Sequence, residues 1–114
     1  MKFTDSLKKN QDFREVYNKG KSYANKYLVM YIYKNNTNRN RLGISVSKKV
    51  GNSVLRHRMK RLVKEGYRLL EDEFHNGYDI VVIIRASAKK KNFFDIMDAL
   101  GHLGHLHHIK NSLE

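Results

Sequence analysis

The sequence predicts a single α+β domain, a sandwich of helices on one small sheet in the order α-β-β-α-β-α. Three observations predict it. The segments "YLVMYIY" (27–33) and "RLGISVS" (41–47) are rich in β-branched and aromatic residues and flank a polar run. A third segment, "YDIVVII" (78–84), is continuously apolar. The stretches around them space their apolar residues as a helix does. The 114 residues include no proline, no internal repeat and no low-complexity linker, so one domain over residues 1–114 with one modest core is expected.

Taken in order, Ser6 or Asp5 can cap a first helix from about Leu7 to Asn18, ended by Gly20. The run "KNNTNRN" then reads as a hairpin loop between the strands 27–33 and 41–47. The Gly51-Asn52-Ser53 turn opens a long basic helix, with Asn52 or Ser53 accepting from its free N–H groups. The 78–84 run is a buried strand, and Ser87 or Asn92 leads into a last helix. Period-two alternation sorts the strand faces. Leu28, Met30, Ile32, Leu42, Ile44 and Val46 make one greasy face. Tyr27, Val29, Tyr31 and Tyr33, with Arg41, Gly43, Ser45 and Ser47, make the other. Phe13 and Tyr17, four apart, add two rings on one side of the first helix. Taken singly these aromatics read equally as ordinary core. Beside so many cations they suggest a platform on which unpaired bases stack.

The formal charge of +12 points to a polyanionic partner, because like charges repel within a fold this small. Nucleic acid comes first, an anionic membrane surface second, and bare solubility is the bland alternative. Without cysteine there is neither a disulfide nor a thiolate metal site. No secretory apolar region follows Met1, and no apolar run approaches the ~20 residues of a membrane span. A soluble cytoplasmic protein is expected.

The charge concentrates in "SKKVGNSVLRHRMKRLVKEGYR", Ser47 to Arg68, which holds eight Lys or Arg against one Glu. At about 100° per residue, Arg56, Lys60, Arg61, Lys64 and Arg68 share one arc with His57, and Arg58 lies just beyond. Leu55, Met59, Leu62, Val63, Gly66, Leu69 and Leu70 fill the opposite arc. One side can dock on the sheet while the other offers guanidinium and ammonium groups at one-turn spacing. Lys48 and Lys49 add charge at the helix entry, where free N–H groups also favour phosphate. A solvated basic face with no ligand would mix its signs more. A membrane-surface helix would have no apolar face left for the core.

The run "GISVSKKVGNSVLRHRMKRLVKE" resembles the signature of the bacterial ribonuclease P protein subunit, a strand ending Ser-Val-Ser-Lys-Lys followed by an Arg-Asn-Arg helix. Upstream, "LKKNQDFREVYNKGKSYANKYLVMYIY" is similar to the same family, and the resemblance covers residues 7 to 85. It departs at His57, where asparagine is usual, and at Ser53, where a small apolar residue is usual; Lys64 stands where arginine is common. The resemblance implies a fold like the second domain of ribosomal protein S5, with a left-handed β-α-β crossover carrying the basic helix. It implies a subunit of an endoribonuclease whose RNA, with Mg²⁺ held mainly by RNA and substrate, removes the 5′ leader of precursor tRNA. The implied partners are ribonuclease P RNA and precursor tRNA, with no membrane and no small-molecule substrate. Lys49, Asn52, Arg56, His57, Arg58, Lys60, Arg61, Lys64 and Arg68 are the implied contacts to the catalytic RNA. Phe13, Tyr17, Val29, Tyr31, Ser45 and Lys48 are the implied leader cleft. The alternative is a non-enzymatic RNA-binding or ribosomal protein of the same fold.

The residues themselves agree that the protein carries no catalytic group. A protein-only phosphodiesterase brings clustered carboxylates to hold metals. Here Asp79, Asp95 and Asp98 are scattered, and Glu71-Asp72-Glu73 follows a helix end. No P-loop, Ser/His/Asp spacing or cysteine nucleophile occurs. His105 and His108, one turn apart near His102 and His107, make a metal site conceivable. With no cysteine or carboxylate nearby, the simpler expectation is a helix packing Leu100, Leu103, Leu106 and Ile109 while its histidines face solvent or RNA. The pair Leu113-Glu114 reads equally as native or as an appended tail.

Overall fold

The computed structural model describes residues 1–110, so the Leu113-Glu114 pair lies outside the described residues. Strands β1 (Thr4–Ser6), β2 (Lys21–Ala24), β3 (Leu28–Lys34), β4 (Asn40–Val46) and β5 (Tyr78–Ile84) form one sheet in the order β1-β4-β5-β3-β2. Helices α1 (Asn10–Lys19), α2 (Ser53–Leu70) and α3 (Phe93–Leu106) complete the α+β domain. β5, apolar from Ile80 onward, takes the centre, parallel to β4 and antiparallel to β3, and Ile80, Val81, Val82 and Ile84 are wholly buried. The crossover from β4 to its parallel neighbour β5 runs through α2.

Three expectations are corrected by this topology. The strands 27–33 and 41–47 are not a hairpin, because β5 lies between them. The hairpin is instead β2–β3, whose bend is fixed by the Asn25 carboxamide oxygen accepting from the Tyr27 and Leu28 amides at 3.2 and 3.0 Å. The first helix begins at Asn10 rather than Leu7, and neither Asp5 nor Ser6 caps it. Both belong to β1, an added parallel edge beside β4, while Leu7 drops into the core. These short edge strands leave little periodicity to read.

α2 and α3 cover one face of the sheet. Met59, Val63, Tyr67 and Leu70 form the buried stripe of α2 against Leu28, Met30, Leu42 and Ile80. Tyr67, unassigned in the sequence reading, is fully buried with its hydroxyl 2.8 Å from the Thr4 hydroxyl and accepting from the Asn40 carboxamide at 3.3 Å. Leu69, expected in the apolar arc, is about half exposed because Tyr67 and Leu70 fill that end. Asn92 caps α3 in a reciprocal box with Asp95. His107 is buried rather than facing solvent: its Nε2 lies 2.7 Å from the Met30 carbonyl and its ring meets Tyr23 edge-on. Leu100, Leu103 and Ile109 pack as expected.

The opposite face carries α1. Val16 is buried, and Phe13, Tyr17, Tyr31 and Tyr33 pack around it with Val81 in a second, smaller core. Tyr27 alone departs from its predicted face and joins the main core. Gly43 makes the docking possible, since a Cβ there would sit 2.6 Å from the Phe13 ring. Arg41 ties α1 to the sheet, donating to Asp79 through Nε at 2.8 Å and Nη2 at 2.6 Å and to Asp12 through Nη1 at 3.3 Å.

Candidate nucleic-acid interface

α1, the end of β4 and the first half of α2 enclose an open cleft of about 790 Å³. α1 supplies Asn10, Phe13, Arg14 and Tyr17, which recur at i, i+3, i+4 and i+7 and so form one stripe. β4 supplies Ile44, Ser45 and Val46, and α2 supplies Ser53, Arg56, His57 and Lys60. One wall is therefore aromatic and the other cationic.

The aromatic wall is built ring on ring. Tyr17 meets Phe13 at 6.3 Å between ring centroids and Tyr31 edge-on at 5.0 Å. Burial pushes the Tyr17 hydroxyl up, Ser45 opposes by hydrogen bonding, and Tyr31 adds to the rise, so the phenol stays neutral. The cationic wall begins at Gly51, whose φ of 152° suits glycine, and at Asn52, whose side chain accepts from the Leu55 amide at 2.9 Å. Arg56 then enters the cleft with its Nε buried and without a hydrogen-bond partner among the described residues. A buried donor of that kind calls for an acceptor from elsewhere. No carboxylate lines the cleft, and none of Lys48, Lys49, Arg56, Arg58, Lys60, Arg61 and Lys64 forms an ion pair among the described residues.

The Ribonuclease P family model matches residues 1–107. The chain belongs to that family. It is 57% identical to the ribonuclease P protein component of Lachnoclostridium phytofermentans over 97% of this chain and 96% of that one. It is 56% identical to the component of Clostridioides difficile, over 82% of each. Its structure is similar to that of the Staphylococcus aureus RNase P protein, with a TM-score of 0.85 at 39% identity covering 93% and 97% of the two chains. Against the Thermotoga maritima RNase P protein the TM-score is 0.81 at 33% identity, covering 88% and 94%.

In this ribonuclease P family member residues from both predicted groups line one cleft. Phe13, Tyr17 and Ser45 share the cleft with Arg56, His57 and Lys60. Tyr31 supports it through Tyr17, whereas Val29 and Lys48 lie outside its lining. Arg58, Arg61, Lys64 and Arg68 lie along α2 in a smaller hollow beside Met1. Arg68 is partly neutralised there, donating to Glu65 through Nε at 3.1 Å. Lys49 is exposed in the turn before α2, and the Asn52 side-chain oxygen is committed to its cap. Asn10 and Arg14 were missed, although extending the Phe13–Tyr17 spacing by one turn would have found both. Among the described residues no three His, Cys, Asp or Glu side chains gather as metal ligands, and no helix is long and apolar enough to cross a membrane.

Proposed function

We propose that the chain is the cytoplasmic protein subunit of a ribonuclease P ribonucleoprotein that frees the mature 5′ end of tRNA. The observation that carries this reading is the cleft with one aromatic and one cationic wall, continuous with the basic face of α2. Arg58, Arg61 and Lys64 hold phosphates of the catalytic RNA, with arginine able to do so bidentately. The cleft takes the unpaired 5′ leader: Tyr17 and Phe13 offer ring surface to its bases, and Arg56 and Lys60 meet its phosphates. Stacking of this kind tolerates any leader sequence, because every base has a π-face.

The protein cleaves nothing itself in this reading. Hard divalent cations take oxygen ligands, and the cleft offers Arg, Lys and His where carboxylates would be needed. The residues do not fit a protein-held Mg²⁺, so the metal stays with the RNA and its substrate. The chain contributes position: it fixes the strand upstream of the scissile bond while the RNA performs hydrolysis.

Reconstitution tests the proposal. The full-length protein mixed with a bacterial ribonuclease P RNA and precursor tRNA should raise 5′ cleavage at low Mg²⁺ well above the RNA alone. Tight RNA binding with no gain in cleavage would instead make it a non-enzymatic RNA-binding protein of the same fold.

A further inference from the structure

A second cationic surface lies where β4 and β5 end and β3 begins. Val46 and Ile84 are register partners at the ends of β4 and β5, and Leu28 opens β3 opposite Ile84. The chain leaves β4 into the Lys48–Val50 turn and leaves β5 into the Ala86–Ala88 turn, and these turns pack on one another. The Asn25–Tyr27 bend is tied to the same end. The Arg85 guanidinium donates to the Asn25 carbonyl at 2.7 Å, its amide donates to the Tyr27 carbonyl at 3.0 Å, and the Ser87 hydroxyl donates to the Lys26 carbonyl.

Six lysines lie in or directly beside these turns and the bend, Lys26, Lys48, Lys49, Lys89, Lys90 and Lys91, none in an ion pair among the described residues. Lys26 and Lys91 lie 5.7 and 5.2 Å from the centroid of the Tyr27 ring. Just beyond, Phe94 is 71% exposed, and Phe93 braces it edge-on with centroids 5.6 Å apart. Gathering like charges raises the energy of the fold, and exposing a phenylalanine gains it nothing. A ligand with both a phosphate chain and flat apolar faces uses both. The surface also adjoins the cleft along the chain, because β4 lines the cleft at Ile44–Val46 and runs directly into Lys48.

We infer that this surface binds unpaired RNA, namely leader nucleotides upstream of those held in the cleft, with Phe94 as a stacking platform and Lys89 and Lys90 as phosphate contacts. The inference rests on the leader-cleft reading and adds a second station to it. The chemistry would also suit an unpaired stretch of the catalytic RNA, so the test separates the two sources.

The experiment measures affinities of the reconstituted holoenzyme for mature tRNA and for precursors with leaders of about 5 and about 15 nucleotides, lengths spanning the usual range of single-strand sites. The variants are Phe94→Ala, the pair Lys89→Ala and Lys90→Ala, and Phe94→Tyr. The long leader should bind the wild type more tightly than the short one. Phe94→Ala and the lysine pair should each remove roughly tenfold in affinity for the long leader alone, and Phe94→Tyr should restore it. Unchanged binding of the long leader overturns the inference. Equal loss for both leaders, with weaker assembly of protein and RNA, moves the surface onto the catalytic RNA and overturns it too. A wild type that binds short-leader and mature tRNA equally overturns the cleft reading, and this inference with it.

Discussion

Arg58 and Arg61 are exposed on α2, clear of the apolar stripe that holds the helix to the sheet. Replacing both with Ala should therefore leave the thermal unfolding midpoint unchanged while weakening binding to the catalytic RNA. The slope of log affinity against log salt should fall by about one for each phosphate no longer neutralised; unchanged affinity and slope would take this helix off the RNA interface. Tyr17 is the sharper probe of the cleft because it lines the space that Tyr31 only supports. Tyr17→Ala should weaken precursor tRNA binding by ~1–3 kcal/mol per stacked base and barely change mature tRNA. Equal weakening of both tRNAs would make Tyr17 purely structural. Such residues were legible in the sequence because helical spacing sorts side chains by face. Arg56 was legible as a cation but not as a buried donor, since its burial depends on how α1 and β4 close around it.

α1 docks on the sheet through one close approach, Phe13 over Gly43, and through the Arg41 bridge from Asp12 to Asp79. A methyl group added at position 43 must displace the Phe13 ring. Gly43→Ala should thus lower the melting temperature and narrow or tilt the cleft. Precursor tRNA binding should weaken while assembly with the catalytic RNA, proposed to use the far side of α2, holds. Intact precursor binding would show that the α1 wall adjusts freely. At this scale the sequence was partly misleading. The long helix, its capping turn at Asn52-Ser53 and the central strand 78–84 were all readable, because their signals are local and long. The supposed hairpin between β3 and β4 was not, because nothing in either strand records that a third strand, distant in sequence, comes between them. β1 and β2 are three and four residues long, too short for alternation to show.

For the molecule as a whole, two buried titratable groups make stability fall in acid. Burial pushes the Glu71 carboxyl up, but the Thr4 hydroxyl, the Lys2 and Phe3 amides and the N-terminal ammonium together hold it below the ordinary glutamate value of 4.5. Burial lowers the His107 imidazole below 6.5, helped by His108 and Lys21 and opposed by its bond to Met30. In both cases the unfolded chain binds the proton first, so each contribution is complete above the unfolded pKa and is lost as pH falls through the native one. The melting temperature should therefore fall in two stages, below 6.5 and again below 4.5. Glu71→Gln should flatten only the second stage; a Gln variant as acid-sensitive as wild type below 4.5 would relieve Glu71 of that role.

The placement of β5 between β3 and β4 also has a consequence for the nascent chain. On a ribosome, β3 and β4 emerge long before the strand that joins them, so contacts that define the sheet have high sequence separation and a costly loop to close. A chain arrested before residue 78 holds only the local β2–β3 hairpin and a β4 with β1 alone for company, and its circular dichroism should be that of a largely unfolded polypeptide. The basic helix, exposed and unanchored in that interval, carries its charge before it has a fold. RNA bound then would meet a disordered cation-rich segment, and the last strand would have to insert beside it.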